Sequence, residues 1–331
     1  MLVLGVLLAY AVLLGSPVDR LLARSAWPAR APRAALWAWH TCALAFLTSA
    51  LAALAVAAHD AWEYVVVRLF HAAEAEVHAL YTGGWHVQVV ADTALLLLLA
   101  APATLAVLAV RRIVRAWRER GRHRLATDAL AAPGPGRGRG RRGPLRVLEH
   151  PVPAAFCIPG SRADARIVLT RGALRLLTRE QVAAVLAHER AHLRFRHHRA
   201  VLLAETVTAA VGWSGALRHY AGQVRRLTEM AADDHATRRH GRRAVASALL
   251  EMCAAGGPEA GNGAQVLPFG AADPAERIRR LLAPHAPARR MVVPLLVTGA
   301  AVVALALPVV LSLGPAASLA GTAHSATRSG P

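Results

Sequence analysis

The stretch that decides the reading is Thr178-Arg-Glu-Gln-Val-Ala-Ala-Val-Leu-Ala-His188-Glu189-Arg-Ala-His192. Thr178 with Gln181 three positions on is a helix-start signature, because each side chain can satisfy a free backbone N–H of the other. In the helix that follows, residues four apart share a face. The imidazoles of His188 and His192 can therefore reach one cation, while Glu189, one residue along, points beside it at a metal-bound water. That geometry is why H-E-x-x-H suits zinc hydrolysis. Alone the motif also has a bland reading, two histidines on a solvated face among arginines, and a third ligand is needed to reject it.

Two third ligands compete. His198 lies ten residues after His188, the spacing of H-E-x-x-H-x-x-G-x-x-H metal sites. Those sites use a glycine to turn the chain back to the metal, and here that position is Phe195, a bulky residue poorly suited to positive φ. The other candidate is Glu229, in Glu229-Met-Ala-Ala-Asp233-Asp234 on a later helix. Glu229 and Asp233 share a face, so one carboxylate can bind metal while the other accepts a hydrogen bond from a ligand histidine and fixes its tautomer. This pairing favours Glu229.

Outward from this helix, the chain is apolar and basic by turns. Of its 331 residues, 55% are hydrophobic, yet the formal charge is +19. That excess sits entirely in 111–290, with 33 arginines and 14 acids; the remainder balances at 6 and 6. Such apolar content and only three cysteines exclude a disordered, collagenous or disulfide-stapled chain. All the basic residues are arginine, which with the abundant alanine suggests a bacterium with a GC-rich genome. Four stretches, about 1–15, 34–58, 87–110 and 291–313, have the composition of membrane spans, although the first is short. Arg20, Arg24, Arg30 and Arg33 follow the first span, and Arg111, Arg112, Arg115 and Arg118 the third; Asp60, Glu63, Glu74 and Glu76 lie between the second and third. Positive loops stay cytoplasmic. The expected topology is a multi-pass cell-membrane protein with its N-terminus outside, 151–290 as a cytoplasmic domain and 314–331 as a short external tail.

Residues 111–150 read as a basic juxtamembrane segment ending in the linker Pro-Gly-Pro-Gly-Arg-Gly-Arg-Gly-Arg-Arg-Gly-Pro (133–144). No aromatic residues are interleaved there to stack on bases, and positive-inside topology accounts for the charge, so direct nucleic-acid binding is not expected. The bilayer is the expected partner of this surface. Two strand-like runs follow, 154–158 and 166–170, then helical patterns at 179–198, about 200–220, 224–240 and 243–255. The 200–215 piece is apolar enough to lie against the bilayer. Cys42, Cys157 and Cys253 read as three buried, reduced thiols. His197, among Arg194, Arg196 and Arg199, reads as the charged end of the motif helix. The acidic loop 59–86, with His59, His71, His78 and His86, reads as an ordinary outer loop rather than a sensor.

Taken in order, these features resemble the membrane zinc metallopeptidases of the BlaR/MecR sensor-transducer type, and more distantly HtpX and the CaaX-processing membrane proteases. The matching residues are three spans, Ala155-Phe-Cys-Ile-Pro-Gly160, Ile167-Val-Leu-Thr170, Ala184-Val-Leu-Ala-His-Glu-Arg-Ala-His192, Glu229-Met-Ala-Ala-Asp233 and a last span. The resemblance implies about four transmembrane helices with a mostly α, α+β zincin-like (gluzincin-type) peptidase domain. It implies one Zn2+ per chain held by His188, His192 and Glu229, with Glu189 as catalytic base and Asp233 behind the ligands. It also implies a protein or peptide substrate, a winged-helix repressor or the chain itself, with HtpX-like quality control as the alternative. About 18 residues follow Leu313 and contain no S-x-x-K acylation motif, so direct β-lactam sensing is not expected.

Overall fold

Long apolar runs rich in Leu and Ala favour helix strongly, and in the computed structural model they form it. The structure describes residues 2–58, 85–133, 144–161, 163–256, 273–283, 299–308 and 310. Helix α1 (Leu2–Leu13) continues through a π-helical turn at Leu14–Val18 into α2 (Asp19–Arg24). This rod is longer than the expected 1–15. Pro17, which has no N–H to donate, falls inside the π-turn, where the register shift accommodates it. A short α3 (Trp27–Arg30) leads to α4 (Pro32–Ala57). Helix α5 (Trp85–Leu130) is 46 residues long, about 69 Å at about 1.5 Å per residue. It runs on through Arg111–Arg118, so the expected juxtamembrane segment is helical as far as Leu130.

Among the described residues, three helices are by length and composition able to cross a membrane: Val3–Arg24, Pro32–Ala57 and Asp92–Leu130. A shorter apolar helix, Gly299–Pro308, falls in the expected fourth span, whose remainder lies outside the described residues. Loop 59–84 and linker residues 134–143 also lie outside them. Two hydroxyls on the apolar helices find carbonyl partners, as a hydrocarbon environment favours. Ser49 Oγ donates to the Leu7 carbonyl at 2.9 Å and Tyr10 Oη to that of Ala304 at 3.3 Å.

A small sheet follows, with strands β1 (Ala131–Pro133), β2 (Leu145–Leu148), β3 (Ala155–Ile158) and β4 (Arg166–Thr170). The order is β1-β2-β4-β3. Strand β4 pairs parallel with β2 and antiparallel with β3. Ile167, Val168, Leu169 and Thr170 are all buried, as expected of an internal strand, and β3 is left at an edge. The Thr170 hydroxyl accepts from Ala154 N at 2.8 Å, donates to the Val152 carbonyl at 2.9 Å and caps α6 (Arg171–Leu176) through Ala173 N. Gly172 is required here: a Cβ would lie 2.0 Å from the Pro151 carbonyl oxygen.

The helical layer comprises α7 (Arg179–Arg194), α8 (His197–Val211), a 3-10 turn (Gly212–Ser214), α9 (Tyr220–Gly256, broken at Gly241 with φ 75) and α10 (Pro274–Leu282). The capping box forms: Thr178 Oγ1 accepts from Gln181 N at 3.3 Å, and Gln181 Oε1 from Thr178 N at 2.8 Å. Two cores result. Val185 of α7 packs with Ala155, Leu169 and Ala173 of the sheet layer and with Leu249 and Met252 of α9. Ala204 and Val207 of α8 and Tyr220, Val224, Leu227 and Met230 of α9 pack with Trp39, Cys42 and Ala43 of α4. The α8–α9 connection is tied to the first helical rod, with Leu217 N donating to the Gly15 carbonyl at 2.8 Å and His219 Nδ1 2.5 Å from Asp19 Oδ2. The three cysteines are free thiols, but only Cys42 is fully buried; Cys157 is half-buried and Cys253, near the end of α9, is exposed.

Candidate metal centre

Helix α7 presents His188 and His192 one turn apart, with their Nε2 atoms 3.1 Å from each other. Helix α9 brings Glu229 across from them. Glu229 Oε2 is 3.4 Å from His188 Nε2, and Oε1 is 3.6 Å from His192 Nε2. Ligand atoms of these three residues all lie within 4.8 Å of one another. Donors about 2.0–2.1 Å from a tetrahedral zinc ion stand about 3.3 Å apart, so the measured separations suit that ion. Glu229, Asp233 and Arg277 are buried together, and with neutral imidazoles the two carboxylates exceed the guanidinium by one negative charge. A dication would offset that excess.

Behind the ligands, Asp233 Oδ1 lies 3.0 Å from His188 Nδ1, on the ring face away from Glu229. Asp233 is in turn held by Arg277 of α10, whose Nε and Nη2 donate to its two oxygens at 2.8 and 2.7 Å. Arg277 Nη1 also lies 3.2 Å from Glu229 Oε2. Asp233 and Arg277 are both 0% exposed. Glu189 is buried beside the ligands, with the Cys157 thiol of β3 a neighbour of its carboxyl.

Burial and charge set the protonation of this cluster. Burial alone would push His188 down, but hydrogen bonds to Asp233 and Glu229 outweigh it and lift the ring to about 9. His192 lies at about 4, lowered first by burial and then by the His188 charge. Against its burial, the hydrogen bond from His188 and the charges of His192, His188 and Arg277 bring Glu229 to about 2. Asp233 is held well below the carboxylate range, Arg277 overcoming burial. Burial raises Glu189 above its usual value. A metal bound at His188 would compete with a proton on that ring.

His198 is not in the ligand group. It faces Arg120, Arg199 and Arg196, and its Nδ1 is buried. The chain does turn back after α7, however, in spite of Phe195. Arg196, one residue beyond the expected glycine position, takes the left-handed conformation (φ 53, ψ 40). The residue returned is His197. Its burial and its contact with His192 correct its reading as a charged helix end: His197 Nδ1 lies 3.1 Å from His192 Nδ1.

Sequence reasoning missed the structural roles of Arg277, His197 and Cys157. Asp273-Pro274 is a visible helix start, and the Asp273 side chain does cap α10 through Ala275 N at 3.0 Å. Nothing local, however, pairs Arg277 with a carboxylate 44 residues earlier.

Residues 117–285, which include all these groups, match the sequence profile of Peptidase family M48. A protein from Aquifex aeolicus (strain VF5) described as "Protease HtpX homolog" is 33% identical over 69 residues. That alignment covers 21% of this chain and 23% of the relative, so the likeness spans about a quarter of that protein. No solved structure matches.

Proposed function

The chain belongs to peptidase family M48, and from that premise we propose that it is an integral-membrane zinc metalloendopeptidase working at the cytoplasmic face. One observation carries the reading: His188, His192 and Glu229 converge within 4.8 Å beside the buried carboxyl of Glu189. When bound, zinc supplies Lewis acidity that acidifies a water and polarises a peptide carbonyl. Glu189 accepts the proton of the attacking water on its carboxylate and delivers it to the leaving amine nitrogen. Its burial suits this exchange, because a raised pKa makes the carboxylate a stronger base and its acid a closer match to neutral pH. Asp233 accepts from His188 Nδ1, fixing the tautomer that leaves Nε2 free to bind metal.

Substrate enters as an extended segment along β3. Of the two strands expected as partners for a peptide, β4 is flanked on both sides, whereas β3 pairs only with β4. Strand β3 packs against α7, the helix of the base, so a peptide added to that edge runs past Glu189. The basic residues that follow the first and third apolar stretches favour the cytoplasmic side for this domain.

Two substrate classes follow. A dedicated regulatory protein, repressor-like, or the chain itself is the class implied by the BlaR/MecR likeness. Membrane-protein quality control is favoured by the similarity to the HtpX homologue. Wild type and Glu189→Ala, purified in detergent, are assayed for bound zinc and for cleavage of neighbouring-gene products and of unfolded membrane proteins. The expected result is about one zinc per chain in both and cleavage by the wild type alone. A zinc-free wild type would sink the ligand assignment, and equal cleavage by Glu189→Ala would sink the base. Zinc binding with no cleavage of any substrate would favour a non-catalytic receptor or scaffold.

A further inference from the structure

We infer that His197 is a positioning residue for His192, holding the ligand ring by accepting a hydrogen bond from its Nδ1–H. The inference rests on the metallopeptidase reading above and extends it to a residue outside the ligand set. His192 uses both ring nitrogens: Nε2 faces His188 and Glu229, and Nδ1 faces His197 Nδ1 at 3.1 Å. A metal at Nε2 takes that lone pair, so the ring proton must sit on Nδ1. His197 Nδ1 must then offer a lone pair, which fixes its own proton on Nε2.

The two rings are perpendicular, 90° apart with centroids 4.8 Å from each other, so His197 meets the His192 ring through its edge and does not stack on its face. His188 has Asp233 in the equivalent place. His197 completes the set, giving each ligand imidazole a partner behind it.

The backbone is bent to put it there. Arg196 adopts φ 53, a left-handed conformation that a non-glycine side chain rarely takes, and the next residue is delivered under the ligand. Packing then fixes the acceptor. Phe195 stacks on the His197 ring, with centroids 5.8 Å apart and planes 25° apart. The Arg33 guanidinium, from the first turn of α4, lies 4.1 Å over the Phe195 ring. A membrane-spanning helix thereby braces the positioning residue.

The test separates an acceptor from a filler of space. In His197→Asn the side-chain oxygen falls where Nδ1 was; in His197→Gln it lies further out, and His197→Leu removes it. Zinc dissociation constants are measured on the full chain in detergent by competition with a chromophoric chelator, and thermal midpoints are taken on the metal-free protein. Asn is expected to stay within about threefold of wild type, whereas Gln and Leu weaken zinc binding about 10–100-fold. The metal-free midpoints of Asn and Gln should agree. Gln binding like wild type, or Asn falling with Gln, would overturn the inference while leaving the metallopeptidase reading intact. Should Leu not fold, the Asn–Gln pair decides alone. A wild type that takes up no zinc overturns the metallopeptidase reading, and this inference falls with it.

Discussion

Arg277 makes the sharpest prediction about stability. Replacing it with Met keeps much of the stem volume and removes the guanidinium, leaving Asp233 buried with no cation except the His188 ring. Two hydrogen bonds of 2.7 and 2.8 Å and the 3.2 Å contact to Glu229 go together. Removing one partner of a fully buried ion pair costs about 3–5 kcal/mol, because the remaining charge stays desolvated. For a domain of this size that corresponds to a thermal midpoint lower by about 6–20 °C. The loss also depends on pH. Arg277 depresses the Asp233 and Glu229 pKa values in the folded state. Their stabilisation is therefore full above the unfolded carboxylate values, about 3.9 and 4.3, and is lost as pH falls through the lower folded ones. The gap between wild type and Arg277→Met should narrow once pH drops below about 4. Thermal unfolding of the chelator-treated full chain, followed by circular dichroism at pH 7 and pH 3.5, measures both effects. Arg171→Ala, which removes an exposed pair with Glu149, is the control and should not move the midpoint measurably. A midpoint for Arg277→Met within about 2 °C of wild type at pH 7 would refute the reasoning, as would a deficit that does not shrink in acid.

Other outcomes follow from the same geometry. Glu229→Gln should leave the fold in place, judged by gel filtration and helical content, while weakening zinc binding by at least about tenfold in chelator competition. Gly172→Ala forces a Cβ against the Pro151 carbonyl and should destabilise by about 1–3 kcal/mol in a urea titration. Gly222→Ala, with nothing within 4 Å of the added carbon, should instead stabilise by about 0.5–1 kcal/mol; equal signs for the two substitutions would contradict the packing. His198 is lowered to about 4, by burial first and then by Arg120, Arg199 and Arg196. A histidine kept neutral by the fold contributes stability that is full above its unfolded pKa of about 6.5 and declines as pH falls toward the folded value. Between pH 7.5 and pH 5 the wild type should lose more than His198→Asn, by about 1 kcal/mol once the screening of a partly exposed ring is allowed for. Parallel stability curves for the two proteins would show that His198 does not carry this dependence.

What the sequence made legible was local. The helix of His188 and His192, its Thr178–Gln181 cap and the shared face of Glu229 and Asp233 all follow from 3.6-residue periodicity within a few turns. Strands β3 and β4 were visible as short β-branched or aromatic runs bounded by turn residues. Strand β1 was not, since Ala-Ala-Pro has no strand preference and is paired only because β2 supplies the register. The turn after α7 was misjudged for an instructive reason. Phe195 does exclude the glycine-type turn, but the left-handed residue moved one place along to Arg196, and a different histidine came back. Arg277 lay out of reach because its meaning depends on α10 packing across α9, a contact that no spacing rule encodes.

The three metal donors come from two helices that lean on different neighbours. His188 and His192 ride on a helix set against the sheet, while Glu229 precedes Met230, which is packed with Trp39 of the second apolar helix. Zinc would therefore add a bond between two helices that already pack on each other, Ala184 and Ala187 of α7 meeting Ala236 of α9. Excising the first 110 residues would strip the surface that seats Val224, Leu227 and Met230, so the catalytic half is not a detachable module.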